Sequence, residues 1–171
     1  NDYEIFMKRG GAVYKISKNE ADDGIPHIDN ESVIWASHDG NDYEILFWED
    51  EELKPLSNNN RDDLDPVVED GRAIWRRYDG HDYEVVYFTG LVAVQLTNDD
   101  MDKGAPKMSN RRVVWSARTG IQDDWELYTH KGGKTVQITN NTVQDVNPTV
   151  YGDTIVWKCD NAICRTEKSC E

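Results

Sequence analysis

The chain has 171 residues, with 19 Lys and Arg against 33 Asp and Glu, for a net charge of −14. So acidic a balance argues against a nucleic-acid binder, which needs a basic surface to meet phosphate. No apolar run reaches the length of a membrane span and no signal-type apolar stretch opens the chain, so membrane insertion is not expected.

Short apolar segments then follow one another in a fixed order. "YEIF" at 3–6 and "AVYKIS" at 12–17 come first, with a polar loop running to Pro26. Next stand "PHI" at 26–28, "SVIWAS" at 32–37, "YEILFW" at 43–48 and "LKPLS" at 53–57, and a second polar loop ends at Pro66. The same order returns as "PVV", "RAIWRR", "YEVVYF" and "VAVQLT", and again as "PKM", "RVVWSA", "DWEL" and "TVQIT". It closes with "PTV" and "TIVWKC" at 148–159. Runs of four to six β-branched and aromatic residues, bounded by Gly, Asp and Asn, are strand signals, and no segment carries a helical period.

The copies keep register at several landmarks. Trp35, Trp75, Trp115 and Trp157 each stand nine residues after Pro26, Pro66, Pro106 and Pro148. The aromatic-Glu pairs Tyr3-Glu4, Tyr43-Glu44, Tyr83-Glu84 and Trp125-Glu126 each precede the next proline by 23 residues. Two extra residues in "ARTGIQDDW" fall between landmarks, as an insertion confined to a loop should. A period of about forty residues holding four short strands is the signature of propeller blades. The strands around the tryptophans are apolar on both faces, as expected for sheets sandwiched between sheets.

The unit "DPVVEDGRAIWRRYDGHDYEVVYF…VQLTND" resembles the TolB-type β-propeller repeat, whose blades run proline, "DG" turn, apolar strand, "DG" turn, "EIY"-like strand, then "LT". The resemblance covers nearly the whole chain and implies architecture rather than activity, since such blades serve scaffolds, receptors and enzymes alike. The expected fold is therefore an all-β propeller of four-stranded antiparallel blades, about four in this chain, with repeats over 1–159 and a Cys-containing tail over 160–171. The repeat begins at a third strand and ends at a second. Pairing of 1–17 with 148–159 would close a ring, and the alternative is part of a larger propeller, completed by a second copy or by further sequence.

Sorting charges by predicted loop puts nearly all of the net −14 on one face, where the fourth-to-first and second-to-third strand loops emerge. Such a face attracts cations and basic partners; the plain alternative is a solvated surface whose Asp and Asn simply make turns. Cys159, Cys164 and Cys170 crowd the end in no common zinc spacing. One disulfide with a leftover thiol is expected, its pairing open, which points to an exported chain (periplasmic, cell-surface or secreted), the alternative being a reduced cytosolic trio.

No nucleophile elbow, phosphate loop or His-Glu-x-x-His motif is present in the sequence. The position after each proline varies (His27, Val67, Lys107, Thr149) on the strand that lines a propeller channel, where a ligand site would be built. His27, Lys107 and Thr149, with His38 and His81 from neighbouring loops, are the candidate ligand residues at the channel mouth. Asp23, Asp63, Asp65 and Asp145 offer hard oxygens of the kind calcium prefers, so calcium is the one cofactor suggested. The function expected is a non-catalytic binding module for a protein, peptide or carbohydrate, with cationic ligands preferred and a homodimer if the ring is incomplete. The alternative is a propeller lyase or hydrolase using a histidine-bound metal.

Overall fold

A computed structural model describes residues 2–119 and 124–166, and all regular structure among them is antiparallel β. Strands β1 (Phe6–Arg9) and β2 (Ala12–Lys15) form a hairpin. Blade one holds β3 (Asp22–Asp29), β4 (Ser32–His38), β5 (Tyr43–Glu49) and β6 (Glu52–Pro55) in chain order. Blade two repeats this with β7 (Asp63–Glu69), β8 (Arg72–Tyr78), β9 (Tyr83–Phe88) and β10 (Ala93–Gln95). Blade three comprises β11 (Lys107–Ser109), β12 (Arg112–Thr119), β13 (Asp124–Lys131) and β14 (Lys134–Gln137). A last sheet has three strands, β15 (Asp145–Tyr151), β16 (Thr154–Cys159) and β17 (Ala162–Arg165).

Local chemistry explains the period. Several tight hairpin turns place both central residues at positive φ, as at Asp70-Gly71 and Gly132-Gly133, the twist that suits a two-residue hairpin. Each proline of blades one and two and of the last sheet follows a residue in the left-handed region: Ile25, Asp65 and Asn147. These coincide with register shifts in β3, β7 and β15, so the repeated proline marks a β-bulge. The bulge carries a purpose in all three: it aligns an aspartate with the tryptophan twelve residues on. Trp35, Trp75 and Trp157 donate their indole N–H to Asp23, Asp63 and Asp145.

The core lies between sheets. Trp75 and Val86 pack with Ile34, Ile45 and Phe47 of blade one, and Trp115 and Val113 pack with Val67, Ile74 and Val85 of blade two. Trp35, Trp75 and Trp115 are at most 1% exposed. At about 25 cal/mol per Å2 over the 150–250 Å2 of such a ring, each contributes roughly 4–6 kcal/mol of burial.

The ends differ from the expected ring. Residues 1–17 do not pair with 148–159: β1 pairs with β2, and β16 is flanked by β15 and β17. The physical reason is that the chain after Trp157 supplies its own third strand, tied back by a Cys159–Cys164 disulfide. The repeat sheet thus extends into residues expected to form a tail, while Cys170 lies outside the described residues, as does 120–123 of the loop insertion. The N-terminal hairpin instead covers blade one, with Ile5 and Met7 against Val33 and Trp35.

Candidate functional site

One face of the blade stack is stitched together by the polar residues of the repeat. The Oδ1 atoms of Asp22, Asp62 and Asp102 accept the backbone N–H of Tyr3, Tyr43 and Tyr83 from the preceding unit, at 3.1, 3.1 and 3.3 Å. The hydroxyls of Ser17, Ser57, Thr97 and Thr139 accept the N–H of the residue after each repeated Glu, at 2.7–2.9 Å. The glutamates themselves turn to the following loop. Glu84 and Glu126 accept the N–H of Asp99 and Asn141 at 2.9 and 2.6 Å, and Glu44 accepts that of Asn59. The repeated Glu is therefore a loop cap. A buried carboxylate that accepts a loop N–H holds the loop that leads into the next blade.

Two clefts open on the same face. Tyr3, Asp22, Asp23, Gly24, Ile25, Ala36, Tyr43 and Leu64 line one of about 320 Å3. A second, of about 370 Å3, lies among Tyr78, His81, Tyr83, Asp100, Asp102 and Arg118. Blades one and two differ here in one telling respect. In blade two the Arg76 guanidinium lies 4.3 Å from the centre of the Tyr83 ring and donates to Asp65 at 2.5 Å. The equivalent residue of blade one is Ala36, so no guanidinium of that strand lies over Tyr43, whose ring meets His38 of the same strand edge-on; the cleft between Tyr3 and Tyr43 opens beside it.

The expected site residues are dispersed. His27 lies on β3 opposite Ile34, beyond the bulge, and its Nδ1 accepts the Val68 N–H at 3.3 Å. Burial and then the Lys107 ammonium hold its pKa below the usual value. Lys107 and Thr149 are exposed on β11 and β15, which pack beside each other. His38 ends β4 opposite Asp22, with its ring 4.9 Å from that of Tyr43, and His81 sits at the equivalent turn of blade two. The two turns lie at the opposite end of the blades from His27, and no cluster of possible metal ligands among the described residues includes a histidine. Asp23, Asp63 and Asp145 are buried and spent on tryptophan, Asp63 also meeting Arg77 at 2.9 Å and Asp65 meeting Arg76.

Two carboxylate groups went unrecognised in the sequence: Asp39 with Asp42 and Glu44, and Asp79 with Asp82 and Glu84. The signal was available as "DGNDYE" and "DGHDYE", two turns with acids at the same three places. In each turn the first aspartate accepts two backbone N–H groups, Asn41 and Asp42 for Asp39, His81 and Asp82 for Asp79. These bonds hold the carboxyls of Asp39 and Asp79 below the ordinary carboxylate range.

No family model and no curated protein matches the chain. Solved structures do. The β-propeller domain of the Trilobed protease from Pyrococcus furiosus superposes with a TM-score of 0.67 at 14% identity, over 80% of this chain and 45% of that one. A TolB from Agrobacterium tumefaciens gives 0.57 at 14% identity, over 74% and 49%, and the nidogen/laminin complex gives 0.62 at 11%, over 92% and 64%. The chain therefore has the β-propeller fold, built of blades like those of TolB. It spans less than half the length of the first two of these structures.

Proposed function

We propose that this chain is a non-catalytic binding module that takes a basic side chain of a protein or peptide partner into the cleft between Tyr3 and Tyr43. The observation that carries the reading is the contrast between blades. In blade two the chain's own Arg76 sits over Tyr83 beside Asp65, so tyrosine face plus carboxylate is already a cation site in this repeat. Blade one has Ala36 in place of that arginine and Ile25 in place of Asp65, and the carboxylate of Asp22 on the cleft wall is the acid left for an outside cation. A guanidinium from outside can take the place that Arg76 fills next door, gaining a cation–π contact and a carboxylate together. The acidic loop face would speed the encounter of such a partner.

The fold likeness supports a module rather than a complete machine, since in one relative the propeller is described as a domain of a protease. Export to the periplasm or cell exterior suits the Cys159–Cys164 disulfide. Titration calorimetry with an Arg-rich peptide tests the reading. Binding should weaken with salt and be lost in Ala36→Arg, which plugs the cleft with the blade-two side chain. Unchanged binding by folded Ala36→Arg would refute it.

A further inference from the structure

We infer that Asp39, Asp42 and Glu44 form a calcium site at the turn between β4 and β5. One oxygen from each of the three lies within 4.8 Å of the others. Oxygens bound to one calcium ion at 2.3–2.6 Å can stand no farther apart than about 5 Å, so the set fits a shared ion. The second observation is independent of the clustering. Asp42 is 5% exposed, and both its carboxylate oxygens are buried without any hydrogen-bond partner. A buried ionised carboxyl with nothing to meet it carries a heavy desolvation cost unless a counter-charge sits against it.

In the neighbouring repeat a lysine meets the glutamate of the matching trio, while Asp82 keeps one buried oxygen without a partner. Asp79, Asp82 and Glu84 make the same constellation in blade two. There the fully buried Lys103 reaches Glu84 at 3.2 Å and Asp99 at 2.6 Å, and also donates to the Met101 carbonyl. The residue at the equivalent place beside the blade-one group is Asp63, whose own cation, Arg77, lies on its far partner strand at 2.9 Å. None of Asp39, Asp42 and Glu44 has an ion pair among the described residues.

The donor set selects the ion. Three carboxylates without histidine or thiolate suit a hard cation, and a site that supplies only three oxygens leaves room for the water ligands that calcium accepts. Access exists: Asp39 and Glu44 line an open cleft of about 600 Å3, with Glu20, Asp22 and His38 around it. Asp39 is exposed at the rim and pre-set by its two backbone bonds, while Asp42 waits beneath. This site does not depend on the partner proposed above, and none of the three residues lines the cleft between Tyr3 and Tyr43.

The test is calcium titration of the whole chain, by calorimetry and by thermal unfolding in EDTA, calcium, magnesium and sodium at equal ionic strength. One calcium per chain should bind, and millimolar calcium should raise Tm beyond the magnesium and sodium controls, as binding to the native state requires. Asp42→Asn should weaken calcium binding at least 100-fold and abolish the gain in Tm. In EDTA the same variant should melt no lower than the parent, because it removes a like charge. Asp82→Asn should keep the full calcium response. Should Asp42→Asn fail to fold, Asp39→Asn, at the exposed rim, should still cost at least tenfold in affinity. The inference is overturned if calcium does not bind, if magnesium acts equally, or if both folded variants bind calcium like the parent.

Discussion

Trp75→Phe and Trp115→Phe differ in what they remove, and the difference measures what the repeated aspartate contributes. Both rings are essentially unexposed, so the loss of apolar volume is common to the two variants. Trp75 also donates its indole N–H to the buried Asp63, whereas Trp115 has Lys103 at the place where that aspartate would stand. The phenyl of Trp115→Phe can keep a stacked contact with Tyr128, whose ring is 6.1 Å away. A hydrogen bond to a charged group contributes about 1.5–3 kcal/mol. Asp63 would retain Arg77 and Asn59, which places the expected excess loss for Trp75→Phe near the lower bound, about 1.5 kcal/mol. With a urea slope of about 2 kcal/mol/M, the Trp75→Phe midpoint should fall about 0.7 M further than that of Trp115→Phe. Equal shifts in the two variants, with unchanged slopes, would refute the assigned role of the aspartate.

Lys103→Met should cost about 3–5 kcal/mol, because it strands the Glu84 and Asp99 carboxylates, and adding Glu84→Gln should recover part of that loss in the same urea assay. His27 and His130 should titrate below 6.5 by NMR, since burial lowers both, with Lys107 adding to the shift at His27. A folded-state pKa below the unfolded one means the unfolded chain binds protons first. Stability should therefore rise with pH across the window from the folded pKa up to about 6.5, and His27→Gln should flatten that rise. Deleting 1–17 should uncover Val33 and Trp35, giving a lower Tm together with red-shifted tryptophan emission or self-association in light scattering. A truncated monomer melting like the parent would show that the hairpin is not part of the core.

Much of the fold could be read from the chain because its landmarks recur. Proline to tryptophan at nine residues marks one strand pair, and aromatic-Glu marks the next. What could not be read is partnership across space. Asp23, Asp63 and Asp145 look like free oxygen ligands in a linear string. Only the bulge before each proline brings them under an indole twelve residues away. The strand beside β16 was equally hidden, because "AICR" is too short to outweigh the repeat phase until the disulfide ties it to Cys159. Of the site, the sequence offered only a sum of charges by loop. The distinction between blades was not, since Ala36 against Arg76 and Asp63 against Lys103 matter only once equivalent positions face equivalent clefts.

Chemical-shift mapping of an Arg-rich peptide on the isotope-labelled chain shows whether the cleft between Tyr3 and Tyr43 takes the basic side chain. Shifts that saturate together at Tyr3, Asp22, Asp23, Ala36 and Tyr43, and that fade as salt is raised, are the expected result. Shifts confined to the opposite end, around the turns at Asn30, Asp70 and Asn110, or no saturable shifts at all, would contradict it.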